Sequence, residues 1–436
     1  MEQDFFYKNM EIFKFGGASL QNALAIREFT KIVNEYKDKP LIVVVSAMGK
    51  ITQALEEIFE KNLTNQPYEA TIEEVYLFHL EIVETLLGNS CTSLQHELDK
   101  WKKGLIQDLQ FTYSSEETEK VYSKVIAWGE ILSSRLIYYY LIHIGIPFTW
   151  VDARKYIKTK SGFMNASLDE HFTRKLIQSE LEPLLTHHKL LLTQGFIASD
   201  HTGSTTTLGK EGSDFTGAIL AAGLKATSLT IWKDVPGIMN ADPKIFQNTV
   251  KFDELDYETM ANMSFYGAQV VHPKTIHPLA AHDIPLHIRP FKDKHEKGTL
   301  VNNKLNKKID TPIYILKKDQ IFIKLSLGKL IFFEENHLNF FFQELNRFGL
   351  RINFLERTPY SISTCLTNDY INVDTFLDIL KPIFKTTCYA STQLLTIIGQ
   401  IDEANLEFLQ GKTILAKQYN THVYQTVFLN EGLDLY

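Results

Sequence analysis

The stretch EIFKFGGASLQNALAIREFTKIVNEYKDKPLIVVVSAMG (residues 11–49) decides the fold. EIFKFGG (11–17) reads as a short strand that runs into a glycine turn. Residues 19–37 are predicted helical, with Leu20, Leu24, Ile26 and Phe29 as an apolar stripe. LIVVVSAMG (41–49) opens with a continuous apolar, mostly β-branched run, the pattern of a strand buried on both faces of a parallel sheet. The chain therefore opens β-α-β, with a glycine turn after each strand. In open α/β sheets such loops leave the carboxyl ends of the strands, where ligands bind.

Working outward, residues 71–111 read as two helices and 114–145 as one long helix. Ser114 and Glu117 make a capping box at its start, Val121, Val125, Trp128, Leu132 and Tyr139 follow helical spacing, and Gly145 can close it. FTWVDA, KLLLTQGFIA, SLTIWKD and IPLHIRPF read as further strands with helices between them. This alternation predicts a mostly parallel α/β domain over residues 1–305. Two polar, basic stretches (292–298 and 302–310) read as a turn and a linker. Beyond them, over 311–436, short strands with intervening helices suggest one or two α+β modules of the ferredoxin-like kind.

The bulk properties narrow the function. A chain of 436 residues exceeds one ordinary core. A net charge of -7, with 44% hydrophobic and 22% charged residues, describes a globular protein and argues against a general nucleic-acid binder. Its three cysteines show neither metal-ligand spacing nor a disulfide framework, which fits a reducing compartment. The acidic start MEQDFFYKNM lacks the pattern of a signal peptide, and no apolar run approaches the roughly 20 residues that span a bilayer. A cytoplasmic protein without membrane partners is expected.

Several stretches could carry chemistry. Lys14 precedes Gly16–Gly17 at a strand end, where glycines let backbone approach a ligand and successive N–H groups form an anion nest. An ordinary tight turn would look the same. Gly203 to Lys210 is not a phosphate-binding P-loop, because five residues separate its glycines and Glu211 follows the lysine. DHTGSTTTLG (200–209) reads instead as a hairpin. In LGKEGSDFTGAIL (208–220) Ser213 is a good N-cap, and Asp214 in the first turn should stay ionised beside the helix dipole. Glu130 sits mid-helix on a strip of small residues, Ala127, Ser133 and Ser134, and if buried it needs a cationic partner, either a ligand's ammonium or a side chain such as Arg135. IWKDVPGIMNADPKIF (231–246) is a buried strand followed by a loop with two turn signals, which could hold a base and ribose or be a plain surface connection. His272, His277, His282 and His287 recur every five residues, a spacing that scatters them around a helix, so no protein-built metal site is expected.

Taken together, KFGGASL, VVSAMGKIT, GEILSSRL, TQGFIA, LGKEGSDFTGA, WKDVPGIMNADP and YGAQVVHPKTI follow one another as in the aspartate kinases, and the chain resembles that family over about its first 300 residues. The C-terminal part resembles the tandem ACT regulatory modules of the same enzymes. The resemblance implies an amino-acid-kinase α/β/α sandwich, and transfer of the γ-phosphate of MgATP to the β-carboxylate of L-aspartate, the first step toward lysine, threonine and methionine. It assigns Lys14 and Asp214 as catalytic. The ATP site would use Lys14, Gly16, Gly17, Ser19, Lys233, Asp234, Met239 and Lys244. Aspartate would meet Ser46, Thr52, Glu130, Lys210, Gly212 and Ser213, with Mg²⁺ held mainly by the nucleotide. A homodimer with an amino-acid effector at the ACT-like part is the corresponding expectation.

There are departures from the family pattern. Ala18 stands for the usual Thr, Lys210–Glu211 for the usual Arg–Gly, Lys233 for a common Thr and Met239 for a common Tyr. They leave two alternatives to weigh: a catalytically impaired amino-acid sensor, and a kinase of the same fold with another carboxylate acceptor.

Overall fold

The structure, a computed structural model, describes residues 10–88, 92–110, 115–304, 310–367, 370–400 and 404–429. The chain forms two compact units. One comprises Met1–Ile238, Lys251–Ala261 and Val270–Leu305, the other Met239–Val250, Asn262–Gln269 and Asn306–Tyr436.

The first unit is built on an eight-stranded sheet. Its strands and the adjoining hairpin are β1 (Glu11–Phe15), β2 (Leu41–Val45), β3 (Thr149–Trp150), β4 (Leu190–Gln194), β5 (Ile197–Ser199), β6 (Thr205–Thr207), β7 (Ser228–Lys233), β8 (Glu254–Asp256), β9 (Leu286–Pro290) and β10 (Thr299–Asn302). The sheet order is β3-β4-β2-β1-β7-β9-β10-β8, parallel except where β9 meets β10, and β5 and β6 form a separate antiparallel hairpin. β1 lies inside the sheet, with Lys14 in register with Val44 of β2 and Ile231 of β7. All five residues of β2 are buried, as its unbroken apolar run requires.

The helices are α1 (Ala23–Asn34), α2 (Ile51–Leu63), α3 (Glu69–Leu87), α4 (Thr92–Asp108), α5 (Ser115–His143), α6 (Ala153–Tyr156), α7 (Glu170–Leu176), α8 (Glu182–His187), α9 (Gly212–Leu224), α10 (Tyr257–Tyr266) and α11 (Pro273–Ala281). α1 starts later than the sequence predicts: Gly17–Leu20 is a 3₁₀ turn, and the Asn22 side chain caps the helix by accepting from the Ala25 N–H at 2.9 Å. Its buried face is Ile26, Phe29, Ile32 and Val33. Leu24, expected in the stripe, is 69% exposed, because two residues of helix turn it about 200° away from Ile26. α5 ends as predicted, with Gly145 at φ 79° and the Ile146 N–H bonded back to the Leu141 carbonyl. The proposed cap residue Ser114 lies outside the described residues. Both faces of α5 are buried, Val121, Val125 and Leu132 on one and Glu130, Ser133 and Ser134 on the other.

The second unit carries β11 (Ile313–Ser326), α12 (Glu335–Arg347), β12 (Ile352–Thr358), β13 (Ser361–Thr367), α13 (Tyr370–Leu380), β14 (Lys385–Ile398), β15 (Ile414–Asn420) and β16 (Val423–Leu429). Its antiparallel order, β12-β13-β11-β14-β16-β15, places the first four strands and two helices in the βαββαβ ferredoxin-like arrangement. Phe341 and Leu345 of α12 and Phe376 and Leu380 of α13 pack on Ile323, Leu325 and Ile362. The long strands β11 and β14 extend beyond this core, and β16 and β15 continue the sheet there, with a 3₁₀ turn (Ala404–Leu409) in place of a further α-helix among the described residues.

An aromatic group anchors β1 to β7. Phe15 stacks on Trp232 at 5.9 Å between centroids, and Phe13 meets the same indole edge-on at 5.8 Å. Phe13→Ala should cost about 3–5 kcal/mol, as expected for a buried aromatic, and lower the urea midpoint of unfolding. Leu24→Ala should stay within about 0.5 kcal/mol of the parent, because that side chain is in water.

Candidate active site

The carboxyl ends of β1, β2, β4 and β7 open into one cavity of about 680 Å³. Two close backbone approaches shape it. A Cβ on Gly17 would lie 2.7 Å from the Ala47 carbonyl oxygen and 2.9 Å from that of Gly49, so the turns after β1 and β2 meet only because residue 17 is glycine. A Cβ on Gly195 would lie 2.4 Å from that of Ser213, so the end of β4 abuts the start of α9 for the same reason.

At the centre lies a buried charge cluster. Asp214, 2% exposed, sits in the first turn of α9. The Lys14 ammonium is 2.7 Å from its Oδ1, and the Lys233 ammonium is 3.6 Å from its Oδ2. Burial pushes the Asp214 carboxyl up, but the charges and hydrogen bonds of Lys14 and Lys233 outweigh it, and the group is held below the ordinary carboxylate range. Lys233 also donates to the Val270 carbonyl, which fixes its orientation.

Glu130 behaves oppositely. It is 3% exposed, and its Oε2 is buried with no hydrogen-bond partner. Burial raises its carboxyl to about 8, against smaller opposing effects of the Ala47 backbone bond and the Lys14 charge. Arg135, a possible partner from the sequence, instead lies near Glu97 and over the Trp150 ring. An ammonium brought by a ligand would supply the missing charge.

The cavity gathers Lys14, Gly16, Gly17, Ser19, Ser46 and Thr52 from the β1 and β2 side. Glu130 adds to these from α5, and Lys210, Gly212, Ser213, Asp214, Lys233 and Asp234 from the α9 and β7 side. Met239 and Lys244 are not among its walls; both lie in the second compact unit. Ser213 does not cap α9. The helix begins at Gly212, the cap position is Glu211 in the left-handed conformation (φ 56°, ψ 26°) without a side-chain cap bond, and Ser213 is turned toward Gly195 instead. Sequence reading missed Glu56, Tyr122, Met164, Asn165 and Phe196 as wall residues. Tyr122 donates to Glu56 at 2.9 Å. Asn165, itself left-handed at φ 51°, accepts from Lys274 at 2.8 Å and leaves no room for a Cβ on Gly209. The traces of this loop in the sequence are Gly162, at φ 74°, and an asparagine, a residue that tolerates positive φ.

No cluster of three His, Cys, Asp or Glu side chains suited to a metal occurs among the described residues, and both oxygens of Asp214 already face ammonium groups. Those residues fit a divalent cation that arrives on a polyphosphate better than one caged by protein. A second, more apolar cavity of about 300 Å³ lies beside α7, α9 and α11 and contains no such charge cluster.

Glu130 imposes a pH dependence on the ligand-free protein. Its folded pKa of about 8 lies above the ordinary 4.5, so the unfolded chain releases this proton first. The wild type should lose stability relative to Glu130→Gln as pH rises from 4.5 to 8, with no further divergence above. The difference should reach on the order of a few kcal/mol, read by urea unfolding at each pH.

Known proteins resemble this chain in sequence and in fold. The sequence model of the Amino acid kinase family matches residues 9–290. Lysine-sensitive aspartokinase 3 of Escherichia coli is 29% identical over 397 residues, covering 88% of this chain and 86% of that one. The aspartokinase of Chlamydia trachomatis is 31% identical over 306 residues, covering 69% of this chain and 66% of that one. The crystal structure of E. coli aspartokinase III in complex with aspartate and ADP (R-state) superposes with a TM-score of 0.82 at 26% identity, over 97% of this chain and 96% of that one. By the extent of this match, and with a fold that agrees, the chain belongs to the amino acid kinase family.

Proposed function

We propose that the chain is an aspartate kinase that transfers the γ-phosphate of ATP to the β-carboxylate of L-aspartate, giving 4-phospho-L-aspartate. The observation that carries this reading is the pairing of Lys14 and Lys233 with the buried Asp214, in a cavity shared with Glu130, whose Oε2 has no partner. The two E. coli and Chlamydia relatives are aspartokinases, and the E. coli structure holds aspartate and ADP.

Phosphoryl transfer depends on positioning and on dispersing negative charge. An aspartate carboxylate is already ionised at neutral pH, so no general base is needed. The difficulty is to bring two anions together. Lys14 and Lys233, fixed on Asp214, supply positive charge beside the Gly16–Gly17 turn, where the γ-phosphate would lie. Mg²⁺, carried by the nucleotide, would add charge neutralisation on the phosphates. Ser19 and Asp234 line the nucleotide side. Glu130 takes the acceptor's ammonium, Lys210 its α-carboxylate, and Ser46, Thr52, Gly212 and Ser213 complete the acceptor side. Residues 1–305 form the catalytic domain, and 311–436 the ACT-like domain that binds an amino-acid effector and joins two chains in a homodimer. The protein works in the cytoplasm. A decayed, purely sensing homologue is disfavoured, because the Lys14–Asp214 pair is intact.

Incubation with MgATP, L-aspartate and hydroxylamine should yield aspartyl hydroxamate, and no other dicarboxylate in an acceptor panel should exceed aspartate in kcat/KM. Absence of product beside an active control would reject the reading. Lys14→Ala and Asp214→Ala should each lower kcat by about 100-fold or more with folding retained, in line with loss of a preorganised charge at a transition state. Near-normal turnover in either variant would remove its assigned role.

A further inference from the structure

We infer that Glu211 is a specificity-determining residue, a second carboxylate on the acceptor side that selects an acceptor bearing an ammonium group over a plain dicarboxylate. The inference rests on the aspartate-kinase reading above and extends it to a residue that reading leaves without a role.

Glu211 is costly in two independent ways. Its backbone is left-handed at φ 56°, a conformation that glycine adopts freely and that costs an ordinary residue about 1–2 kcal/mol. Its Oε2 is buried with no hydrogen-bond partner, and the side chain makes no ion pair among the described residues. A buried carboxylate oxygen left unpaired is unfavourable unless a cation arrives to meet it. The loop cannot easily relax to avoid either cost. Gly209, two residues earlier, is packed under Asn165, which Lys274 holds in place, and the Glu211 carbonyl accepts the Asp214 N–H at 3.0 Å as α9 begins.

The cavity offers that carboxylate little internal charge. Lys14 and Lys233 are committed to Asp214. Lys210 is adjacent in sequence but exposed, and it forms no ion pair with Glu211. One cation and one anion therefore stand side by side, unpaired with each other, on the wall of the acceptor space. An α-amino acid presents the complementary arrangement, a carboxylate and an ammonium on one carbon. Glu130, deeper and almost wholly buried, meets the same ammonium from α5. A dicarboxylate without the amino group would gain Lys210 but leave both acids unmatched.

The test compares wild type, Glu211→Gln and Glu211→Gly. KM for L-aspartate is measured by hydroxamate formation, and Ki for succinate is measured as a competitor of aspartate, so succinate need not be turned over. Both variants should raise KM for aspartate by about 10- to 100-fold, the size of a lost charge-assisted hydrogen bond, with Ki for succinate within about 3-fold of wild type. Glu211→Gly should also keep or raise the thermal midpoint, because glycine suits the left-handed position. An aspartate-to-succinate ratio within about 3-fold of wild type in both variants would overturn the role of Glu211 while leaving the kinase reading intact. A wild type that makes no aspartyl hydroxamate would reject the kinase reading instead, and calorimetric titration of aspartate into wild type and Glu211→Gln would then decide Glu211: equal affinities overturn it, and weaker binding to the variant supports it.

Discussion

The first unit is organised around one electrostatic constraint, a carboxylate buried between two ammonium groups. A lone ionised Asp214 at 2% exposure would be strongly unfavourable, and its pairing with Lys14 and Lys233 is what allows it to stay charged. That pairing depends on the sheet. Lys14 and Lys233 come from β1 and β7, which are neighbours in the sheet, and Asp214 comes from the helix that packs beside them. The aromatic stack of Phe13, Phe15 and Trp232 holds the two strands in register, so packing and charge are coupled through the same pair of strands.

The two sides of the cavity solve different problems. On the side proposed for phosphate the charges are already paired, Lys14 and Lys233 with Asp214, so little rearrangement is needed if a polyanion arrives there. On the acceptor side they are not. Glu130 is left neutral or unstable by burial, and Glu211 combines backbone strain with an unpartnered oxygen. Unmatched groups of this kind lower the stability of the free protein and are matched only by a ligand of the right charge. The usual trade between stability and function is thus concentrated in the half proposed for the acceptor.

Much of this was legible in the residues themselves. The β-α-β opening, the long α5 and the strand at Leu41–Val45 followed from periodicity and from turn glycines. The hairpin expected at 200–209 forms slightly earlier, pairing Ile197–Ser199 with Thr205–Thr207, and the ferredoxin-like texture of the C-terminal part followed in the same way. The differences are local. Leu24 cannot share a face with Ile26, two residues on, and so lies outside the buried stripe; Ser213 is no cap because the left-handed Glu211 starts its helix one residue earlier, at Gly212. Asn165, Met164 and Phe196 were missed because they reach the cavity through loop geometry, which leaves no periodic signature.

The sequence by itself determined which chemical groups this protein has and the order in which they occur, because strand and helix periodicity, glycine turns and the ordered motifs are local properties of the chain. Only the tertiary structure decided their charge states and partners. It set Asp214 between two lysines that are far apart in sequence, gave Arg135 to Glu97 and Trp150 rather than to Glu130, and left Glu130 and Glu211 each with an unpartnered oxygen. The physical reason is that burial and Coulomb interaction depend on distance through space, and those distances are set by how the sheet and helices pack rather than by spacing along the chain.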